Sequence, residues 1–97
     1  MFALDVVRFA EQLPNKPSYR TVQGQIVKSG PSAAANYRAA CRRKSTRDFI
    51  AKMGIVEEEL DETMFWLEFT VAISDSWRPV ITPIWKEAIA LHHSCLH

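Results

Sequence analysis

The sequence predicts an all-α protein, an antiparallel up-down four-helix bundle formed as one domain over residues 1–97. Three observations lead there. Apolar residues recur with a helical period wherever a period can be read, and no stretch alternates as a strand would. Prolines and polar runs cut the chain into four segments joined by short connections, which favour antiparallel neighbours crossing at about 20°. With 97 residues, 47% hydrophobic and 24% charged, the chain supports one modest core and is neither disordered nor multidomain in character.

Phe2, Val6, Phe9 and Leu13 fall on one helical face, and Pro14 ends the pattern, so a first helix is expected over about residues 2–12. Asn15, Lys16, Pro17 and Ser18 read as a loop, with Ser18 as the N-cap of the second helix. Val22, Ile26, Ser29, Ala33, Tyr37 and Ala40 line the inner face of that helix. Gly30 followed by Pro31 predicts a kink or a brief break in its middle.

Ser45 and Asp48 form a shortened capping box that opens the third helix. Phe49, Met53, Val56, Leu60, Thr63, Leu67, Val71 and Ser74 follow in alternating steps of four and three, a coiled-coil-like seam. Past Glu62 a second apolar face appears. Phe65, Trp66, Phe69 and Ile73, with Trp77 and Trp85, exceed what one seam needs and are expected at a subunit interface. Residues 75–78 form a turn, Pro79 suits a helical first turn, and Val80, Ile84, Ala88, Leu91 and Cys95 mark the inner face of the fourth helix. With the second turn near Lys44 and Ser45, residues of the two long helices whose numbers add to about 89 should lie at equal height.

The net charge of +1 conceals a strong asymmetry. Residues 1–54 carry ten Lys or Arg against three acids, and residues 55–97 carry two against eight. Side-by-side packing of the halves would neutralise most of this, so only an unmatched patch signals a polyanionic partner. One candidate patch is Arg38, Arg42, Arg43, Lys44, Arg47 and Lys52, which straddles the second turn beside Tyr37 and suits phosphate groups. The plainer reading is that Arg42, Arg43 and Lys44 complement the negative end of the second helix.

Glu57, Glu58, Glu59, Asp61 and Glu62 place five acids in six positions, with repulsion between acids four apart. The height rule sets them opposite the Gly30–Pro31 step. A buried polar link is therefore expected among Lys28, Asn36, Glu58 and Glu62, fixing the register of the long helices. A di-metal centre would need Glu-x-x-His pairs, which the third and fourth helices lack, so no metal or other cofactor is expected. His93 and His97, four apart near the C-terminus with His92 and Cys95 beside and between them, have a spacing that permits metal binding, of an adventitious kind at such an end. Ser29 and Ser32 have no nearby His, and the three glycines are dispersed, so neither a nucleophilic triad nor a phosphate loop is indicated. Catalysis is not expected.

No 18-residue apolar run occurs, because Glu68 and Asp75 interrupt the richest stretch, and the N-terminus lacks a basic-then-apolar leader. Cys41 and Cys95 lie far apart without metal spacing, which fits a reducing compartment. A soluble, cytoplasmic protein without membrane partners is expected.

A family resemblance rests on two motifs. Lys28-Ser29-Gly30, Ser32, Ala35-Asn36-Tyr37-Arg38 and Ala40-Cys41-Arg42 resemble the second-helix signature of the bacterial four-helix-bundle proteins encoded by intervening sequences of large-subunit ribosomal RNA genes. Ser45, Asp48-Phe49-Ile50, residues 52–56, Glu58-Glu59, Asp61-Glu62-Thr63 and Trp66-Leu67-Glu68 resemble its third helix. The family is in turn similar to the accessory variability protein of diversity-generating retroelements, which is pentameric and binds nucleic acid and a reverse transcriptase. The resemblance implies a homopentameric ring without enzymatic activity. Pro31, Ala39 and Leu60 depart from the family pattern, Ala39 by removing an acid from between Arg38 and Arg42. The expected function is a non-catalytic oligomeric adaptor binding RNA or DNA, with a reverse transcriptase as a candidate partner. The alternative is a protein-interaction scaffold that binds no nucleic acid.

Overall fold

The computed structural model describes residues 1–95. Four helices form, α1 (Phe2–Glu11), α2 (Pro17–Cys41), α3 (Thr46–Ile73) and α4 (Arg78–Ser94), with a 3-10 turn over Asp75–Trp77 before the last. Helix α1 packs on α2, α2 on α3, α3 on α4, and α4 returns to α1, while the diagonal pairs do not meet. The result is a four-cornered bundle measuring 44 × 20 × 19 Å. The 28 residues of α3, at 1.5 Å rise each, span about 42 Å and set the long dimension.

The first helix packs as its spacing requires, with Phe2, Val6, Phe9 and Leu13 all buried. Helix α2 starts two residues earlier than expected, because Pro17 takes the first helical position and an extended Lys16 precedes it, so Ser18 is not the cap. Proline suits that place since its preset φ is helical and its missing N–H would have no helical partner. At the start of α3, Ser45 Oγ accepts from the Asp48 N–H at 3.1 Å. Only half of a capping box forms, since the Asp48 carboxylate pairs forward with Lys52 at 3.4 Å.

Of the kink or brief break expected at Gly30–Pro31, the break does not occur, for α2 runs continuously from Pro17 to Cys41 with Pro31 inside it. Pro31 deprives the Val27 carbonyl of its helical donor, but Val27 faces solvent, where water can take that donor's place. Gly30 serves a different purpose from the one its neighbour suggested. A Cβ there would lie 2.7 Å from Val6 Cγ1, so the absent side chain is what lets α1 approach α2. Gly24, on the same helix, has nothing within 4 Å of such a Cβ.

One step away, the long helices meet through a buried polar pair. Thr63 Oγ1 lies 2.8 Å from Ser29 Oγ and 2.8 Å from the Glu59 carbonyl oxygen, with Ser29 and Thr63 both buried. This pair, rather than the expected link of Lys28, Asn36, Glu58 and Glu62, joins α2 to α3. Lys28, Glu58 and Glu62 are exposed, and Asn36 donates within its own helix to the Ser32 carbonyl at 2.9 Å. An unbroken α2 frees no backbone donors for a carboxylate, so the acids have nothing to cap.

Two further expectations change at the α3–α4 corner. Ile81 is buried while Val80 is 39% exposed, because Ile81, Ile84 and Ala88 form the inward stripe and Val80 lies about 70° off its centre. Trp77, expected at a subunit interface, turns inward instead. Its ring meets Phe9 edge-on at 5.9 Å, and its Nε1–H donates to Tyr19 Oη at 3.2 Å, closing one end of the core. No helix among the described residues is long and apolar enough to cross a membrane.

Two stability predictions follow from these contacts. Gly24→Ala should stabilise by about 0.5–1 kcal/mol through helix propensity, whereas Gly30→Ala should destabilise by about 1–3 kcal/mol through overpacking against Val6. In a Val6→Ala background the Gly30→Ala penalty should shrink or reverse, as read by thermal melts. Thr63→Val should cost about 1–3 kcal/mol by leaving Ser29 unpaired, and adding Ser29→Ala should recover part of that loss in denaturant titrations.

Candidate nucleic-acid interface

The α2–α3 turn gathers the basic residues because both helices end there. Helical spacing puts Ala35, Arg38, Ala39 and Arg42 on one face of α2, and Asp48 with Lys52 on the facing side of α3. Together with Lys44 from the turn, these residues line one open hollow. Four cations thus surround a space holding a single carboxylate, and that carboxylate is already paired with Lys52. Ala39 lines the hollow as well, and its methyl group brings no charge to the wall that Arg38 and Arg42 share.

The other two basic residues stand outside the hollow. The Arg43 guanidinium sits 5.0 Å from the centroid of the Phe49 ring, a cation–π contact that aims it away from the α2–α3 groove. Arg47 is exposed and does not line the groove. Among the described residues Arg38, Arg42, Arg43, Lys44 and Arg47 make no ion pair, since the cations paired there are the N-terminus, Lys52, Arg78 and, when protonated, His92.

The aromatic surface lies farther along α3. Phe65 is 54% exposed and Phe69 37% exposed, while Trp66 and Ile73 are half-buried beside them. The three rings form a cluster, with Phe65 and Trp66 centroids 4.9 Å apart and Trp66 and Phe69 5.4 Å apart. Trp66 Nε1 is buried without a hydrogen-bond partner. Trp85 is held to α3 instead, donating its Nε1–H to Glu68 Oε2 at 3.1 Å. Of the six side chains expected at a subunit interface, Phe65 and Phe69 are the ones most exposed to solvent.

The acidic run behaves as a solvated face. Burial first, and then the charges of Glu62 and Glu58, push the Glu59 carboxyl above its ordinary range. A raised folded-state value means that the fold favours protonated Glu59, so this group opposes folding as pH rises through its titration. Two of these acids nevertheless meet a member of the C-terminal histidine group, a pairing that no local motif pointed to. His92 of α4 brings Nε2 within 2.9 Å of Asp61 Oδ1 and 3.9 Å of Glu57 Oε1. Cys95, one turn beyond, has its thiol pushed up by burial and then by Glu57 and Asp61. A search for Glu-x-x-His within one helix misses this grouping because its histidine comes from a different helix. Of the expected adventitious pair, His93 is exposed and His97 lies outside the described residues.

Fold and surface together define a small antiparallel four-helix-bundle protein with a cationic hairpin tip. The chain belongs to the 23S rRNA-intervening sequence protein family, whose model matches residues 1–74. It is also similar to a solved structure, a protein of unknown function from the S23 ribosomal protein family of Bacteroides thetaiotaomicron VPI-5482. The two are 29% identical with a TM-score of 0.87, over 98% of this chain and 88% of that one. No curated protein matches the chain. The family match stops where α3 ends, whereas the structural likeness spans α4 as well.

Proposed function

We propose that this protein is a non-catalytic, homo-oligomeric adaptor that binds the phosphate backbone of RNA or DNA through the tip of its α2–α3 hairpin. The observation that carries this reading is the hollow in which Arg38, Arg42, Lys44 and Lys52 face one another across a single paired carboxylate. Cations left without acidic partners in a chain of net charge +1 are a local excess rather than a global one. Arg supplies paired donors suited to phosphate oxygens, and Lys supplies point charge. The exposed placement of these side chains favours backbone contacts over base-edge readout, so binding should discriminate structure more than sequence.

Assembly would multiply this weak patch. Phe65 and Phe69 are the apolar groups we assign to contacts between copies, and a pentamer is the assembly that the resemblance described above favours. A ring presents one basic tip per subunit, and linked sites can gain roughly 10²–10⁴ in apparent affinity without any new contact. The retroelement-like resemblance adds a reverse transcriptase as the protein partner to test first. The second reading, a protein-interaction scaffold without nucleic-acid binding, draws on the same exposed aromatic cluster.

Anisotropy titrations with a structured RNA should show affinity falling steeply with salt, with a log–log slope of about −3 if four phosphates are neutralised per tip. Arg38→Glu with Arg42→Glu and Lys44→Glu should abolish binding at physiological salt without changing the helical content. Absence of binding by the parent protein at low salt would favour the scaffold. Light scattering should give a mass several times the 11.1 kDa protomer, and Phe65→Asp with Phe69→Asp should reduce it to one protomer. A parent protein that is monomeric at all concentrations would remove the assembly from the proposal.

A further inference from the structure

We infer that Glu57, Asp61 and His92 form a binding site for one first-row divalent transition ion of the zinc type at the α3–α4 seam. Three independent features point there. The first is geometric: Glu57 and Asp61 are four apart on α3, which stacks their carboxylates on one face, and the antiparallel return of α4 lowers His92 onto both. One donor atom from each residue lies within 4.8 Å of the other two.

The second feature is the state of the imidazole. His92 Nε2 is sealed from solvent and has no aligned hydrogen bond, although Asp61 Oδ1 is only 2.9 Å away. A nitrogen shut off from water thus lies beside two carboxylates without a directed partner. In a tetrahedral site with bonds of about 2.0–2.1 Å, neighbouring donor atoms stand roughly 3.3 Å apart. The separations of 2.9 and 3.9 Å from Nε2 to the two carboxylate oxygens bracket that figure.

The third feature is charge and access. Two carboxylates four apart repel one another, and a divalent cation is a more complete neutraliser than one imidazolium. The carboxylates remain open to solvent, at 39% and 61% side-chain exposure for Glu57 and Asp61, so an ion can enter and keep water in its fourth place. One imidazole and two carboxylates suit zinc, cobalt, nickel and manganese better than calcium or magnesium, which prefer oxygen alone. Cys95 is not among the ligands, because its thiol donates to the Leu91 carbonyl at 3.4 Å. The site is separate from the basic tip and does not depend on nucleic-acid binding.

Calorimetric titration of the metal-free protein with Zn2+ tests this directly. It should saturate at one ion per protomer, and melts at a hundredfold excess over the dissociation constant should shift upward by roughly 10 °C or more. His92→Ala and Asp61→Asn should each weaken binding by at least about 10- to 100-fold, while both variants melt in chelator like the chelated parent. His93→Ala should bind as the parent does, and cobalt loading should give a d–d spectrum without a thiolate charge-transfer band. Parent-like affinity in His92→Ala and Asp61→Asn, loss of binding in His93→Ala, or a thiolate band would each overturn the assignment. So would a parent protein that takes up no zinc, which would leave the three residues as an imidazolium–carboxylate cluster.

Discussion

Close approach at the level of Ser29 and Gly30 is the constraint on which the rest of this structure depends. Adjacent residues of α2 face in two directions there, Ser29 toward Thr63 of α3 and Gly30 toward Val6 of α1. A hydroxyl pair fixes the first contact and a missing side chain permits the second. Because helix faces repeat at fixed spacing, setting these two contacts sets the height of every other residue along the bundle. The alignment of residues 29 and 63 then brings Arg38 and Arg42 of α2 level with Asp48 and Lys52 of α3. The basic hollow is a consequence of the register rather than a separately built feature.

Charge is organised by the same register, but as separation rather than neutralisation. The basic residues collect at the turn because α2 ends and α3 begins there, while the acids of residues 57–62 lie about three to four turns along α3 on a largely solvated face. Lys28 stays exposed and pairs with none of them among the described residues. Solvated like charges on an exposed helix cost only a few tenths of a kcal/mol per pair, so the fold tolerates them without a buried partner. A cationic tip in which Lys52 is paired but Arg38, Arg42 and Lys44 are not, among the described residues, keeps its field outward, where a polyanion would meet it.

Helix α4 contributes in a way that its sequence does not announce. Its inward stripe of Ile81, Ile84 and Ala88 closes the fourth corner, with Trp77 sealing the core against Phe9 and Tyr19. Continuing that stripe toward the C-terminus delivers His92 onto Glu57 and Asp61. A short run of histidines at a chain end reads as a fraying tail until the antiparallel return shows which of them faces α3. His92 points inward and His93 outward, a distinction of one residue that only packing makes.

Helical periodicity was sufficient to determine the class of fold, the four elements to within about two residues, and most of the inward faces, because burial of one stripe per helix leaves its mark at fixed spacing. The basic tip was legible too, since a turn between long helices necessarily collects the charges flanking it. What the sequence could not determine was any pairing across helices. Phe65 and Trp77 look alike as apolar excess, yet one faces solvent and the other the core. Gly30 looks like half of a breaker, yet its role comes from Val6, twenty-four positions earlier in the chain. The polar link between the long helices runs through Ser29 and Thr63, and the carboxylates find their histidine on α4. Those relations depend on distances between distant segments, and local pattern carries no information about distance until the tertiary structure closes.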